Sequence, residues 1–447
     1  MKKYGLLLLI WGISLMVTDV VLAQKSPDSL ATRAYLTDCI QYALANQPIV
    51  RQSLIDQEIA DRNIRVAQSG WLPQVNAGYN LFHYLKLPVT LIPDATTGER
   101  RPVTLGARNT STASFSLSQN LLSRDLLLAN QTADAYRTQA RQVTASNKID
   151  VVINVSKAFY DLILTQRQVE VLSEDIGRQQ RSYQDATNQY QSGLVDKTDP
   201  QRAKIALNNT IAQRKQYADL VGAKYQALKQ LMGYPPNGAL NLVYDSLQLA
   251  QESRLDTTLL VDPRNRIEYQ LLETQGRLAD ANVRYNRWSY LPTVAAVANY
   301  NFLYQNNVFP QLYGQAFPNS LIGLVVSLPI YQGGRRIQQT RIAELQVKRL
   351  EWDKNALTSS VDAEYAQALA NYKGNLANYQ ALQENLLLAQ DTYRVINLQY
   401  RSGIRAYLDV TVAEADLRAA RLNVFSALNQ LILSKLDVER ALGQIRF

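Results

Sequence analysis

The sequence contains an internal repeat that extends over most of its length. Gln189-Tyr190-Gln191-Ser192-Gly193 is followed 210 positions later by Gln399-Tyr400-Arg401-Ser402-Gly403. In the same order, Leu72-Pro73 precedes Leu291-Pro292 by 219 positions. Landmarks that recur in order at a nearly constant separation are typical of a duplicated structural unit. The chain is therefore predicted to be an internal duplication.

The first repeat is assigned to 24–262 and the second to 263–447, and long proline-free stretches dominate both. They are rich in Ala, Gln, Leu, Arg and Lys, a composition typical of helices. The stretches are 123–190, 201–231, 334–400 and 407–442. At ~1.5 Å per residue, the two that end near Gly193 and Gly403 are on the order of 100 Å long. Helices of that length exceed one globular core, so we expect them to pack along each other as a coiled coil or a helical barrel.

Four shorter segments alternate between apolar residues and small or polar residues. They are 74–84, 111–121, 293–304 and 321–330. A period of two predicts strands, and each segment approaches the ~9 to 11 residues of a tilted membrane strand. One apolar and one polar face is the pattern of a strand between lipid and a water-filled lumen; a half-buried soluble hairpin is the alternative. Pro and Gly in 85–110 and 306–319 predict that loops join each strand pair.

Strands in lipid constrain how many chains must assemble. Backbone groups on an open sheet edge find no water in the hydrocarbon region, so a spanning sheet must close. Known membrane barrels begin at about 8 strands, more than the four predicted here. The sequence therefore predicts an α+β membrane protein in which several chains share one barrel, without fixing their number.

The first 23 residues resemble a secretory signal peptide. Lys2 and Lys3 precede an apolar run that ends at Ala23. Gly12 and Asp19 interrupt the run, which disfavours the alternative of a spanning helix. We expect removal of this segment during export from the cytoplasm.

Charge and residue usage exclude several function classes. The net charge is +9, but basic residues are mixed with acidic ones along the chain, which disfavours nucleic-acid binding. His83 is the only histidine and Cys39 the only cysteine. A metal site, a disulfide, a cofactor and a catalytic set are therefore not expected, and the protein is not predicted to be an enzyme.

Several motifs together resemble the outer membrane efflux protein family, the TolC-like channels. They are the two Leu-Pro steps before strand pairs, the segment Leu328-Pro329-Ile330-Tyr331 followed by Gly333-Gly334, and the Tyr-x-x-Gly turns that end at Gly193 and Gly403. The resemblance covers the mature chain. It implies a homotrimer with four strands per chain in a twelve-stranded barrel, continued by a twelve-helix periplasmic tunnel.

The resemblance also implies a function and partners. They are those of an outer-membrane exit duct in a Gram-negative bacterium, serving tripartite efflux or type I secretion. The expected partners are outer-membrane lipid, a periplasmic adaptor (membrane fusion) protein and an inner-membrane RND or ABC pump. A periplasmic coiled-coil adaptor or scaffold without a pore is the alternative, but it leaves the two strand pairs unexplained.

In this family the helix tips close the tunnel, which assigns roles to the turns at 191–200 and 401–409. The positions that match the family's gate and tunnel entrance are Asp199, Tyr400, Arg405 and Asp409. The resemblance implies a charge-assisted Asp199–Arg405 contact between neighbouring coils. Val412 stands where the family has a further aspartate. The acidic ring at the entrance is therefore expected to be reduced.

The same tip residues also have simpler structural explanations. Gly193 and Gly403 suit left-handed helix C-caps, and Asp199 before Pro200 suits an N-cap followed by proline. Asp409 suits a partner of the helix dipole, and Arg405 suits a solvated side chain. The residues assigned to the tip turns and to adaptor docking are Gly193, Leu194, Val195, Gly403 and Ile404.

Overall fold

The structure is a computed structural model that describes residues 33–93, 99–244 and 253–447. The signal peptide predicted for 1–23 lies outside these residues. The described helices are α1 (Leu36–Asn46), α2 (Pro48–Gln68), α3 (Arg124–Gln191), α4 (Thr198–Met232), α5 (Ile267–Arg287), α6 (Arg335–Arg401) and α7 (Tyr407–Ala441). The strands are β1 (Gln74–His83), β2 (Val89–Pro93), β3 (Arg100–Thr104), β4 (Asn109–Leu122), β5 (Thr293–Asn306) and β6 (Ala316–Ser327).

The long helices agree with the sequence prediction, and their lengths recur in the two halves. Helix α3 has 68 residues and α6 has 67. The shorter helices match as well, with 21 residues in α2 and α5 and 35 residues in α4 and α7. A three-residue 3₁₀ helix follows α2 and another follows α5, and each leads through a Leu-Pro step into a strand.

The helices pack side by side in two tiers. Next to the sheet, α2 packs on α3, α3 on α5, and α5 on α6. Towards the far ends of the long helices, α4 packs on α3, α3 on α7, and α7 on α6. The largest buried cluster lies where the tiers meet, with Phe159, Leu162, Tyr372 and Leu431 in its centre. The long helices α3 and α6 thus run through both tiers.

Glycines join the two tiers end to end. Gly233 ends α4 with a φ of 68°, and a Cβ placed there would lie 2.8 Å from the backbone oxygen of Asn46, the last residue of α1. Gly443 follows α7 with a φ of 69°, and its Cβ would lie 2.8 Å from the backbone oxygen of Asn265. Only glycine combines a left-handed backbone with so close an approach. The end of α4 therefore abuts the start of α2, and the end of α7 abuts the start of α5.

Four strands form one antiparallel sheet in the order β1-β4-β5-β6, so the four predicted strand segments are confirmed with shifted bounds. The largest shift is in β6, predicted at 321–330, which begins five residues earlier, at Ala316, and ends at Ser327. Pro318 had suggested a loop there. Pro318 is nevertheless the third residue of the strand, where it pairs with Phe302 of β5.

The connection at 85–110 is more ordered than the sequence indicated. It contains the separate hairpin β2–β3, in which Val89 pairs with Thr104 and Leu91 with Pro102. Prediction of a loop there was therefore incomplete. Pro93 and Pro102 suggested a break, yet both are accommodated in a two-stranded ribbon in which each strand has a free edge.

The register sorts the side chains of the four-stranded sheet onto two faces, because paired residues point to the same side. The apolar face carries mainly aliphatic and aromatic residues. They include Val75, Tyr79, Leu81, Phe115, Leu117, Ala298, Tyr300, Phe302, Ile322 and Leu324. The polar face carries mainly hydroxyl and amide residues, interspersed with Val297, Leu303, Phe317 and Leu321. They include Gln74, Asn76, Asn80, Thr112, Ser114, Ser116, Ser118, Asn299, Asn301 and Asn319.

None of the helices in the described ranges has the length and apolarity needed to cross a membrane.

We predict that Gly233→Ala lowers the free energy of unfolding by about 2 kcal/mol, because alanine is strained at a positive φ and meets the Asn46 oxygen. Gly222→Ala is the matched control. Gly222 is exposed inside α4 with open space around it, so alanine should be neutral or stabilise by up to ~1 kcal/mol. Guanidinium titration of the helical circular-dichroism signal measures both. Equal stability of the two variants would contradict the end-to-end contact.

Candidate functional site: the helix tips

Each long helix ends at a tip turn built around glycine. Gly193 and Gly403 both have a φ of 74°. The Leu194 N–H donates to the oxygen of Gln189 at 2.9 Å, and the Ile404 N–H donates to that of Gln399 at 2.9 Å. These six-residue closures are Schellman caps, which satisfy carbonyls at the helix end. The predicted capping role of both glycines is confirmed.

The tip turns present apolar side chains to solvent. Leu194 is 75% exposed and Ile404 is 72% exposed, whereas Val195 is half-buried. Exposed aliphatic residues at the end of a hairpin carry no stabilising role within the chain, because they leave apolar surface in water. The assignment of these residues to partner docking stays a prediction.

The helices that leave the turns begin with acidic residues. The Thr198 N–H donates to the Asp196 carboxylate at 3.2 Å, and Asp199 lies within the first turn of α4. The interpretation of Asp199 as the N-cap was wrong, because Lys197 is at the N-cap position and Asp199 is the second residue of the helix. Asp409 lies in the first turn of α7, where its charge favours the positive end of the helix dipole.

Tyr400 and Arg405 have defined partners. The Tyr400 hydroxyl donates to Gln189 Oε1 at 2.6 Å and thereby links the two tips. Arg405 Nη1 lies 3.5 Å from Asp409 Oδ2, and Arg405 Nε donates to Gln399 Oε1 at 3.3 Å. Within this chain Arg405 pairs with Asp409, and its pairing with Asp199 stays a prediction for a contact between chains.

Sequence reasoning missed Gln189 and Gln399 as participants. Both precede a tyrosine at equivalent positions of the repeat. That recurrence was available as a signal, but it was used only to recognise the duplication.

A small core holds the two tips together. Ala186, Ala203, Tyr407 and Val410 are buried there, and the Tyr400 and Tyr407 rings meet edge to face at 5.6 Å between centroids. Burial raises the pKa of the Tyr400 hydroxyl, and the nearby Asp199 carboxylate raises it further. Burial likewise raises the pKa of Tyr407. Tyr400 therefore remains protonated and remains a donor to Gln189 throughout the physiological pH range.

A buried polar network lies about two to four helical turns from the tips and was not predicted from the sequence. The Tyr393 hydroxyl donates to Glu414 Oε1 at 3.3 Å, with Arg178 and Arg418 close enough to interact with the carboxylate. Burial raises the pKa of Glu414 despite these partners. Arg178 also pairs with Asp175. A groove of about 510 Å³ beside this network is lined by both Arg181 and Asp185.

Across the described residues, no cluster of three or more His, Cys, Asp or Glu side chains is arranged to hold a metal ion.

The sequence profile described as "Outer membrane efflux protein" matches residues 39–234 and 269–444. These two matches cover most of the chain and fall one in each half. The chain belongs to the outer membrane efflux protein family. The resemblance inferred from the turn and strand motifs is thereby confirmed.

Relatives within this family are distant but extend over nearly the whole chain. The chain is 21% identical to outer membrane protein TolC of Vibrio cholerae over 92% of its own length and 91% of that protein. It is 23% identical to TolC of Escherichia coli over 93% and 84% of the two chains. It is 22% identical to proteases secretion protein PrtF of Dickeya chrysanthemi over 86% and 83%.

Two solved structures of outer-membrane or channel-forming proteins share the fold of this chain. CusC superposes with a TM-score of 0.71 at 17% identity, covering 93% of each chain. VceC of Vibrio cholerae superposes with a TM-score of 0.69 at 16% identity, covering 91% of this chain and 96% of that one. At these identities the likeness concerns the arrangement of helices and strands.

We predict that Glu414→Gln is more stable than the wild type at high pH and that this difference shrinks as the pH falls. A carboxyl whose pKa is raised in the folded protein contributes stability below its unfolded pKa and loses it as pH rises through the folded pKa. The uncharged amide avoids that loss.

Thermal unfolding from pH 4 to pH 9 measures the difference in melting temperature between the two proteins. Glu384→Gln, at an exposed glutamate on α6, is the control and should show no such trend. A constant difference across the pH range for Glu414→Gln would contradict the buried-acid interpretation.

Proposed function

We propose that this protein is the outer-membrane exit duct of a tripartite efflux or type I secretion system, and that it conducts substrates passively. The observation that carries the proposal is the four-stranded sheet with one apolar and one polar face, continuous with helices of nearly 70 residues. Such a sheet suits contact with lipid on one side and a water-filled lumen on the other. The family match and the relatives named for efflux and secretion support the same assignment.

The duct is a homotrimer with a twelve-stranded barrel and a twelve-helix tunnel. In the described part of the chain, β1 and β6 each have one edge without a strand partner. A head-to-tail contact between unlike edges closes into a ring. The same holds for the helices, since α2 exposes Ile55 and Ile59 on one side and α6 exposes Ile337 and Leu345 on the other. The matched helix lengths of the two halves support an internal duplication as the source of the near-repeating ring.

The barrel lies in the outer membrane of a Gram-negative bacterium and the helices extend into the periplasm. There the tips dock to a periplasmic adaptor (membrane fusion) protein through Leu194, Val195 and Ile404, and an inner-membrane RND or ABC pump supplies the energy. The exposure of Leu194 and Ile404 supports this assignment, because burial of apolar side chains at an interface is favourable.

The gate is at the tips and consists of weak contacts. Asp199, Tyr400, Arg405 and Asp409 hold neighbouring coils together in the closed duct. Arg405 and Asp409 are about half and two-fifths exposed, and ion pairs at such sites contribute ~0 to 1 kcal/mol. Modest binding energy from a partner is therefore sufficient to open the gate. Asp409 contributes a single acidic ring, because the position of a second ring is Val412.

Single-channel conductance in a planar bilayer tests both parts of the proposal. We predict discrete conductance for the wild type and an open probability about tenfold higher for Asp199→Ala with Arg405→Ala. The estimate takes ~0.5 kcal/mol per contact in three copies, with ~1.4 kcal/mol for each factor of ten. Asp391→Ala with Arg394→Ala removes an exposed ion pair of α6 away from the tip and is the matched control.

The outcomes separate the duct from its gate. Equal open probability in the tip variant and the control would remove the gating role of Asp199 and Arg405 but leave the duct. Absence of conductance from a folded, membrane-extracted wild type would favour a coiled-coil adaptor or scaffold without a pore.

A further inference from the structure

The four strands of the main sheet contain no Lys, Arg, Asp or Glu, whereas the helices contain many. The chain has 47 Lys and Arg and 38 Asp and Glu residues, and all of them lie outside β1, β4, β5 and β6. The helices that continue from these strands carry many charges, including ion pairs close to the tips. Absence of charge on the apolar face follows from contact with lipid. The polar face has no such requirement, so its neutrality is a separate property.

The polar face consists mainly of groups that both donate and accept hydrogen bonds. Hydroxyl and amide side chains meet in register across it, as Ser114, Asn301 and Asn319 do beside Gly78. Asn301 Nδ2 donates to Asn319 Oδ1 at 2.8 Å, and Ser114 Oγ donates to the oxygen of Gly78 at 3.3 Å. Such a wall satisfies its polar groups through neighbours and water.

The neutrality of the polar face matters for permeation. A narrow aqueous passage with low-dielectric walls concentrates the electric field of any fixed charge, so a charged wall would act strongly on passing ions. A ring of like side chains in such a passage favours one sign of ion and excludes the other. A wall of hydroxyl and amide groups favours neither sign. It also offers no strong site at which a charged solute would be retained.

We propose that the part of this duct built from β1, β4, β5 and β6 is a charge-neutral sleeve, and that charge selection among permeating solutes is made in the helical part. This inference rests on the proposed function, since it takes the polar face as the lumen. The sleeve transmits cations, anions and uncharged polar solutes alike once they have passed the helices. The cargo class is therefore set before the barrel, by the helix tips and the partners that bind them.

The rates at which charged thiol reagents modify single cysteines measure the potential at a chosen point of the lumen. Ser116→Cys places a thiol on the polar face, and Leu117→Cys places one on the apolar face. Cys39 is fully buried, and burial raises its pKa to about 12, so it remains unreactive and needs no replacement. The full-length protein is reconstituted in lipid vesicles and treated with a cationic or an anionic methanethiosulfonate reagent of similar size.

The measured quantity is the ratio of the modification rate by the cationic reagent to that by the anionic reagent. For a neutral sleeve, this ratio at Ser116→Cys should agree within about threefold with the ratio for a small free thiol in solution, since no fixed charge acts on either reagent. Leu117→Cys should react with neither reagent. Asn299 pairs with Ser116 in the register. Addition of Asn299→Asp should therefore shift the ratio towards the cationic reagent by about threefold or more.

A ratio displaced by more than about threefold without Asn299→Asp would overturn the neutral sleeve. Reaction at Leu117→Cys but not at Ser116→Cys, or no shift on adding Asn299→Asp, would overturn the assignment of the polar face to the lumen. Bilayer conductance of the same samples distinguishes the two proposals. Conductance with a biased ratio contradicts the sleeve alone, whereas a folded protein without conductance contradicts the duct.

Discussion

The outer edges of β1 and β6 impose the constraint on which the architecture depends. Each edge presents a row of backbone N–H and C=O groups that have no strand partner in the described part of the chain. In water such an edge is tolerated, but in hydrocarbon each unsatisfied group costs several kcal/mol. The apolar face requires lipid and the open edges exclude it. In the proposed duct, pairing of β1 with β6 of another copy meets both requirements.

In the proposed duct, the helical part follows from the same ring. The connections between strands and helices are short: a 3₁₀ turn and a Leu-Pro step before β1 and β5, Ser123 after β4, and a segment that ends in Gly333-Gly334 after β6. The lateral order of the strands therefore fixes the lateral order of the helices. Two long helices run the full distance, and the shorter helices meet end to end at Gly233 and Gly443. The tips are held by one hydroxyl bond, a few buried rings and exposed ion pairs. A closed barrel at one end and weak contacts at the other suit a duct that opens only at its tips.

Much of this fold was predictable from the sequence because its elements have strong local signals. Long proline-free stretches identified the helices, and alternation identified the four strands. The start of β6 and the hairpin β2–β3 were missed because proline was taken as a sign of a loop, whereas Pro318, Pro93 and Pro102 all lie within paired strands.

At the tips, the glycine turns were predictable, because a helix cap with a left-handed backbone strongly favours glycine. Which residue is at the N-cap position of α4 was not, because only the backbone decides where the helix begins. The burial of Glu414 was not predictable, because it depends on the packing of α7 against α6 and against α3, which is distant in sequence.

Closure of the ring is tested most directly by backbone hydrogen exchange of the detergent-extracted protein, measured together with the mass of the native assembly. Closure of the ring predicts a mass of three chains and edge amides in β1 and β6 that exchange as slowly as those of β4 and β5. A mass of one chain, with fast exchange along the outer edges of β1 and β6 and slow exchange in β4 and β5, would contradict it.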